Sequence, residues 1–196
     1  YDRDLSHPNM GYIWKGYGNG LNVDYIWPES DLQMMELTIP DYIDQEPFHT
    51  YYLTVSGHQL WNFIGNMMSI KHQDLVEDLP YDETTRAYLA CQIELDRALE
   101  YLLEQLEQKG IADHTVIALS ADHYPYGLTV EEMSILDGND LSADFEMYKN
   151  SFLLYCAGME ETIEVDKLGS SLDIAPTLCN LFNLPYDSRL YMGRDI

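Results

Sequence analysis

Thr115-Val-Ile-Ala-Leu-Ser-Ala-Asp122-His123 is the stretch on which the fold turns. Its opening residues are β-branched, and the run stays apolar or small until it meets an adjacent carboxylate and imidazole. This pattern predicts a strand buried on both faces, as in a parallel sheet covered by helices. In such sheets ligands bind beyond the carboxyl ends of the strands. Asp122 and His123 stand at that end, followed by a turn through Pro125 and Gly127. An oxygen and a nitrogen donor side by side suit a divalent transition metal. The same pair also makes an ordinary polar strand end.

A long helix is predicted just upstream. Asp82 is its N-cap, with Glu83 in the first turn, and Lys109 and Gly110 close it. Leu89, Ile93, Leu95, Leu99, Leu102, Leu103 and Leu106 form an apolar stripe, while Glu94, Glu100, Glu104 and Glu107 read as lying mostly off it. At 1.5 Å per residue the helix is about 40 Å long. Asp113-His114, in the loop that follows, duplicates the Asp-His pair. It falls at the start of the strand, about 30 Å from Asp122 at 3.3 Å per residue, and reads as structural.

Beyond the strand, Thr129-Val-Glu-Glu132 is a capping pattern that opens a helix over 129–136. Asp137 to Asp140 is a turn whose spacing fails the calcium-binding EF-hand loop. Phe152 to Ala157 reads as another buried strand, and Ser170 or Ser171 caps a helix over 172–182 with Pro176 in its early part. Upstream, Phe48 to Val55 reads as a buried strand running into Ser56-Gly57-His58, so a second imidazole stands at a strand end. Ser30 and Asp31 are predicted to cap a short helix over 32–37. Tyr1 to Tyr12 has no clear period and reads as a structured loop with room for one helical turn, and Gly16, Gly18 and Gly20 read as turn glycines, since no Lys-Ser/Thr follows them.

The composition bounds the function. The chain has 196 residues, of which 46% are hydrophobic, enough for one sizeable core. Its 34 acidic against 10 basic residues give a net charge of −24. This excludes nucleic acid and anionic membrane surfaces as electrostatic partners. An anionic substrate would need a local cation, a metal or a well-placed Arg. Most of the acid reads as solvated surface. Cys91, Cys156 and Cys179 all lie in apolar segments without a CxxC pair, and are expected to be free core thiols. No apolar run of about 18 residues or more exists to span a membrane. The chain begins with Tyr rather than Met and so reads as an excised piece.

Several segments, taken in order, resemble the alkaline phosphatase and sulfatase superfamily, and within it the lipoteichoic acid synthase and phosphoglycerol transferase branch. Tyr1-Asp2-Arg3-Asp4 resembles the substrate-arginine segment of that branch. Tyr52 to His58 resembles the strand that delivers its substrate histidine, and Thr115 to His123 the strand that delivers its last two metal ligands. Ser171-Leu-Asp-Ile-Ala-Pro-Thr-Leu178 and Gly193-Arg194-Asp195 resemble its late structural signatures.

The resemblance implies an α/β fold of the alkaline phosphatase type, a mostly parallel sheet flanked by helices, with residues 1–196 forming the C-terminal portion of an extracellular catalytic domain. It implies a divalent metal, manganese before magnesium, held by a Glu, a nucleophilic Thr, Asp122 and His123. Arg3 and His58 would hold the phosphate or glycerol of a glycerol-phosphate-bearing lipid or glycan. The Thr and the Glu lie upstream of the Arg segment in the family. The chain is therefore expected to hold half of the metal site, to lack the nucleophile and to be inactive alone, as part of a membrane-anchored parent. A phosphodiesterase or sulfatase that releases product to water, and a non-catalytic binding domain on the same scaffold, are the alternatives. No Cys or Ser here sits in the Cys/Ser-x-Pro-x-Arg pattern of true sulfatases.

Overall fold

The computed structural model describes every residue except Tyr1, Tyr25 and Asp144. The chain forms two compact units, residues 1–111 with 127–132, and residues 112–126 with 133–196. The class is α/β, as expected.

The first unit is built on helices. Helix α1 (Arg3–Asn9) is followed by a two-residue parallel ladder of β1 (Gly16–Tyr17) and β2 (Gly20–Leu21). Gly18 and Gly20 take φ of +72° and +80° there, the turn role expected of them. Helix α2 (Asp31–Thr38) is capped by Ser30, whose side chain accepts from Gln33 N–H. Helix α3 (Met67–Lys71) is capped by Asn66, which accepts from Met68 and Ser69 N–H. Helix α4 (Glu83–Lys109) has the predicted ends: Asp82 accepts from Thr85 N–H, and Gly110 closes the helix at φ +71°.

The burial of α4 corrects the sequence reading. Its buried residues are Thr85, Ala87, Ala90, Cys91, Glu94, Ala98, Leu102 and Leu106. The Leu stripe turns inward only over the last turns, at Leu102 and Leu106. Over the first half the buried face is a line of small side chains, against which α2 and α3 pack. Small residues let helix axes approach closely, so they rather than the leucines mark this interface. Glu94, read from sequence as off the stripe, lies in the middle of that line and is 0% exposed.

A fully buried carboxylate is costly unless it is paired. Glu94 receives the Ser30 hydroxyl, Lys71 Nζ at 2.9 Å and His72 Nε2 at 2.6 Å. It thereby ties the start of α2 and the end of α3 to the middle of α4. Burial pushes its carboxyl upward, but Ser30, Lys71 and His72 together overcome this and hold it below its ordinary value. Asp31, 1% exposed, is raised instead: burial outweighs its hydrogen bonds from Ser56 and Val55, and the charge of Glu94 adds to the rise.

Residues 48–55, expected to form a strand, carry none; Val55 and Ser56 instead give their N–H groups to Asp31. The side-chain carboxylate takes the donors that a neighbouring strand would otherwise pair.

The second unit holds β3 (Ile117–Ser120) and β4 (Phe152–Tyr155), two of the predicted strands, as an antiparallel pair in which Ile117 faces Tyr155 and Ser120 faces Phe152. Both alternate half-buried and exposed residues rather than being buried on both faces. Among the described residues β3 pairs with β4 alone, and alternation is the pattern of a sheet covered on one side. Helix α5 (Val130–Asp137) opens at the Thr129 capping box: Thr129 Oγ1 accepts Glu132 N–H at 3.2 Å. Its first turn belongs to the first unit and the rest to the second.

Helix α6 (Ile174–Leu181) follows a 3-10 turn over Ser171–Asp173 and carries Pro176 in its first turn, where no intrahelical donor is missed. The two late signatures meet here. Asp173 accepts from Arg194 N–H at 2.7 Å and from Ser170 N–H at 2.7 Å, and Thr177 Oγ1 accepts from Ile196 N–H at 3.2 Å. The Arg194 and Ser170 N–H groups hold the Asp173 carboxyl below its usual range. A Cβ on Gly193 would stand 2.0 Å from the Leu172 carbonyl oxygen, so only glycine fits the crossing.

The cysteines are free, as expected, but only Cys91 is buried, its thiol pushed up to about 12 by that burial; Cys156 and Cys179 are half-buried.

Three outcomes follow for stability. Glu94→Ala strands His72 and the Ser30 hydroxyl and should cost about 3 kcal/mol, the lower end for breaking a buried pair because Lys71 can turn to water; urea unfolding measures it. Because Glu94 is held below its ordinary value of 4.5, its contribution is present above that pH and lost as pH falls further, whereas raised Asp31 contributes in the opposite sense. The difference between wild type and Glu94→Gln should therefore shrink on acidification below pH 4.5. Gly193→Ala should cost about 3 kcal/mol, the upper end for overpacking, read as a lowered Tm.

Candidate functional site

Strand β3 ends at Ser120 and delivers Asp122 and His123 two and three residues later, as the sequence predicts. Both are exposed, with side chains 78% and 51% accessible, so desolvation does not oppose a ligand there. His123 Nδ1 lies 2.8 Å from the Tyr124 carbonyl oxygen. A carbonyl only accepts, so Nδ1 carries a proton, and in the neutral ring the lone pair is on Nε2. That nitrogen lies 3.5 Å from Asp122 Oδ1. The Tyr126 ring packs on the imidazole at 4.6 Å between centroids and limits its rotation.

These donors fit a divalent metal. Ligands of one ion, each bound at about 2.0–2.2 Å, stand about 3–3.5 Å from each other, the separation seen here. Metal-bound histidines give their second ring N–H to a carbonyl or carboxylate, which fixes the tautomer. The set is nonetheless partial. Among the described residues no three His, Cys, Asp or Glu side chains converge as a metal site.

Asp113 and His114, the rival pair, occupy a 3-10 turn before β3, with 3.8 Å between charged atoms. Their backbone is occupied structurally: the Asp113 carbonyl accepts from Cys156 Sγ at 3.2 Å and packs under Gly158.

The residues proposed for substrate belong to the first unit. Arg3 opens α1, half-buried, and its carbonyl accepts from His7 Nδ1 at 3.1 Å. Tyr1, the first residue of the Tyr1-Asp2-Arg3-Asp4 segment, lies outside the described residues. His58 is exposed on a turn closed by its own N–H to Val55 O at 2.9 Å. Its Nδ1 is 2.7 Å from the Gln59 carbonyl, so the imidazole presents Nε2 as His123 does. Trp27 meets the ring edge-on at 4.9 Å.

Sequence reasoning missed the groups that hold this turn. Asp31 was read only as a helix cap, and Asn66 was not singled out. Asp31 Oδ1 accepts Val55 N–H at 2.9 Å, and Oδ2 accepts Ser56 N–H at 3.0 Å and the Ser56 hydroxyl. Asn66 Nδ2 donates to His58 O at 3.0 Å while its Oδ1 caps α3. The available signal was a second acid directly after a cap serine.

Comparison with known proteins shows the family. A sequence model of the sulfatase family, described as Sulfatase, matches residues 2–184. Lipoteichoic acid synthase from Staphylococcus saprophyticus is 27% identical over 161 residues, 80% of this chain and 24% of that protein. Lipoteichoic acid synthase 2 from Bacillus subtilis is 23% identical, covering 77% of this chain and 23% of its own length. Lipoteichoic acid synthase from Staphylococcus aureus strain USA300 is 24% identical, covering 78% and 23%. The chain thus spans about a quarter of the length of these relatives. No solved structure gives a significant match.

Proposed function

We propose that this chain, which belongs to the sulfatase family, is part of the catalytic domain of a phosphoglycerol transferase-like enzyme that acts on glycerol-phosphate diesters. The observation that carries this reading is the Asp122–His123 pair at the end of β3, a carboxylate 3.5 Å from the Nε2 of an imidazole whose Nδ1 is engaged by the Tyr124 carbonyl. The similarity to lipoteichoic acid synthases supports the choice of a phosphodiester over a sulfate ester.

In this reading Asp122 and His123 hold a divalent cation, manganese before magnesium, with the remaining donors and the nucleophilic Thr supplied by residues outside this chain. The cation, when bound, stabilises charge on the phosphoryl oxygens and activates the attacking hydroxyl. Arg3 supplies a guanidinium suited to bidentate contact with a phosphate. His58, its Nδ1 engaged by Gln59 O, offers Nε2 to a phosphate oxygen when protonated, or takes the proton of an incoming glycerol hydroxyl when neutral. The parent protein would be membrane-anchored, with this domain outside the cell and a glycerol-phosphate-bearing lipid or glycan as substrate. No helix among the described residues is long and apolar enough to cross a membrane.

Calorimetric titration of manganese into the chain tests the metal half-site. One site that Asp122→Ala and His123→Ala each weaken at least tenfold is expected; binding that neither changes overturns the reading. The chain alone should turn over no glycerol-phosphate diester. Metal-dependent turnover that vanishes in Asp122→Ala would show that all the catalytic groups lie within these residues.

A further inference from the structure

We propose that Asp31 is a positioning residue for His58, its buried carboxylate holding the turn from Val55 to His58 in the shape that presents the imidazole. This inference rests on the reading of His58 as a substrate-binding residue.

Asp31 is the first residue of α2, and its side chain points away from that helix's own N–H groups. The Gln33 N–H, which it might have capped, goes to Ser30 instead. Both Asp31 oxygens are given to residues 24 and 25 positions downstream. Oδ1 accepts Val55 N–H at 2.9 Å and Oδ2 accepts Ser56 N–H at 3.0 Å, a two-point contact that fixes the peptide units on either side of Val55. The Ser56 hydroxyl adds a third donor and is 0% exposed. Val55 then supplies the carbonyl that closes the turn onto His58 N–H at 2.9 Å. The chain of hydrogen bonds from the carboxylate to the imidazole residue is therefore only one residue long.

The other contacts to the turn hold carbonyls rather than N–H groups. Trp61 Nε1 donates to Gly57 O at 3.0 Å, and Asn66 Nδ2 donates to His58 O at 3.0 Å. Among the described residues Asp31 is the acceptor side of the clamp. An amide in its place keeps the shape but has one acceptor oxygen. Its NH2 would face either Val55 N–H or the two Ser56 donors, and donors cannot pair with one another. The fixed turn leaves the His58 ring between Trp27, at 4.9 Å, and the Gln59 carbonyl, which selects the Nδ1–H tautomer. Releasing the turn releases that selection before it touches any substrate group. The same carboxylate offers nothing to a ligand, being 1% exposed.

The test uses histidine ring nitrogen correlations by NMR on the 196-residue chain, with titration of glycerol phosphate alongside. Wild type should show His58 as a single Nδ1–H tautomer. Folded Asp31→Asn should show tautomer-averaged His58 signals with the His123 signals unmoved, and glycerol phosphate binding about tenfold weaker, as a misplaced binding group predicts. His58 signals identical to wild type in folded Asp31→Asn would overturn the proposal. Should Asp31→Asn not fold, Ser56→Ala removes one of the three hydrogen bonds and should move the same signals in the same direction by less; no movement there overturns it equally. His58→Ala separates the two readings. If it leaves glycerol phosphate affinity unchanged, the substrate role of His58 fails, while the tautomer measurement still decides whether Asp31 positions the ring.

Discussion

The first unit depends on a charge that has nowhere else to go. Glu94 sits in the middle of α4 with no access to water, and an ionised carboxylate there is tolerated only if its lone pairs are filled. Three groups fill them, and each comes from a place the fold must then keep: the cap serine of α2, and the last residue of α3 with its neighbour. Hydrophobic burial would hold α2 and α3 against the small-residue face of α4 in many registers. The carboxylate permits one. Replacing such a cluster with apolar residues can be neutral in stability, so what Glu94 contributes is the choice of arrangement.

That register has consequences one residue away. Ser30 reaches Glu94, and the next residue, Asp31, is thereby aimed at Val55 and Ser56. His72 reaches Glu94 from the end of α3, whose N-cap, Asn66, holds the His58 carbonyl. Two acidic side chains, one held below its ordinary value by cationic and hydroxyl partners and one raised by burial, thus divide the work: the first orders the helices, the second orders a loop. The site histidines share a further device. His58 and His123 each place Nδ1 against the carbonyl of the following residue, so each presents Nε2 outward in a defined tautomer. In both cases the backbone of the next residue supplies the orienting acceptor.

Much of this was legible in the sequence, and the exceptions have physical causes. The caps at Ser30, Asp82 and Thr129, the αL glycine at 110 and the strand leading to Asp122 follow local rules, because each is decided by residues within four positions. Residues 48–55 have strand composition but no strand, because pairing is decided by what lies beside a segment, and here a carboxylate takes the donors. The α4 interface was misread because leucines dominate the helix count, whereas Ala87, Ala90, Cys91, Glu94 and Ala98 also recur at helical spacing. A single acid within a line of small residues was the available sign that it is buried. Asp31 left a weaker sign, an acid directly after the cap serine, since two of its three partners are backbone N–H groups, and backbone groups are the same in every sequence.

The charge of the chain bears on how an anion is received at all. With a net charge of −24, the field outside the chain repels phosphate at long range. Among the described residues Lys15, Lys71, Lys109, Lys149 and Arg189 are engaged in ion pairs with the chain's own carboxylates. Their neutralised charge offers a phosphate little. The phosphodiester affinity of the proposed function would then have to come from short-range groups with fixed geometry, effective inside the screening length of about 8 Å at physiological salt. In the proposed reading the Arg3 guanidinium, the His58 imidazole and a divalent ion on Asp122 and His123 would be such groups. In this surrounding field the positioning of a single imidazole matters more than it would on a basic surface, because no diffuse attraction compensates for its displacement.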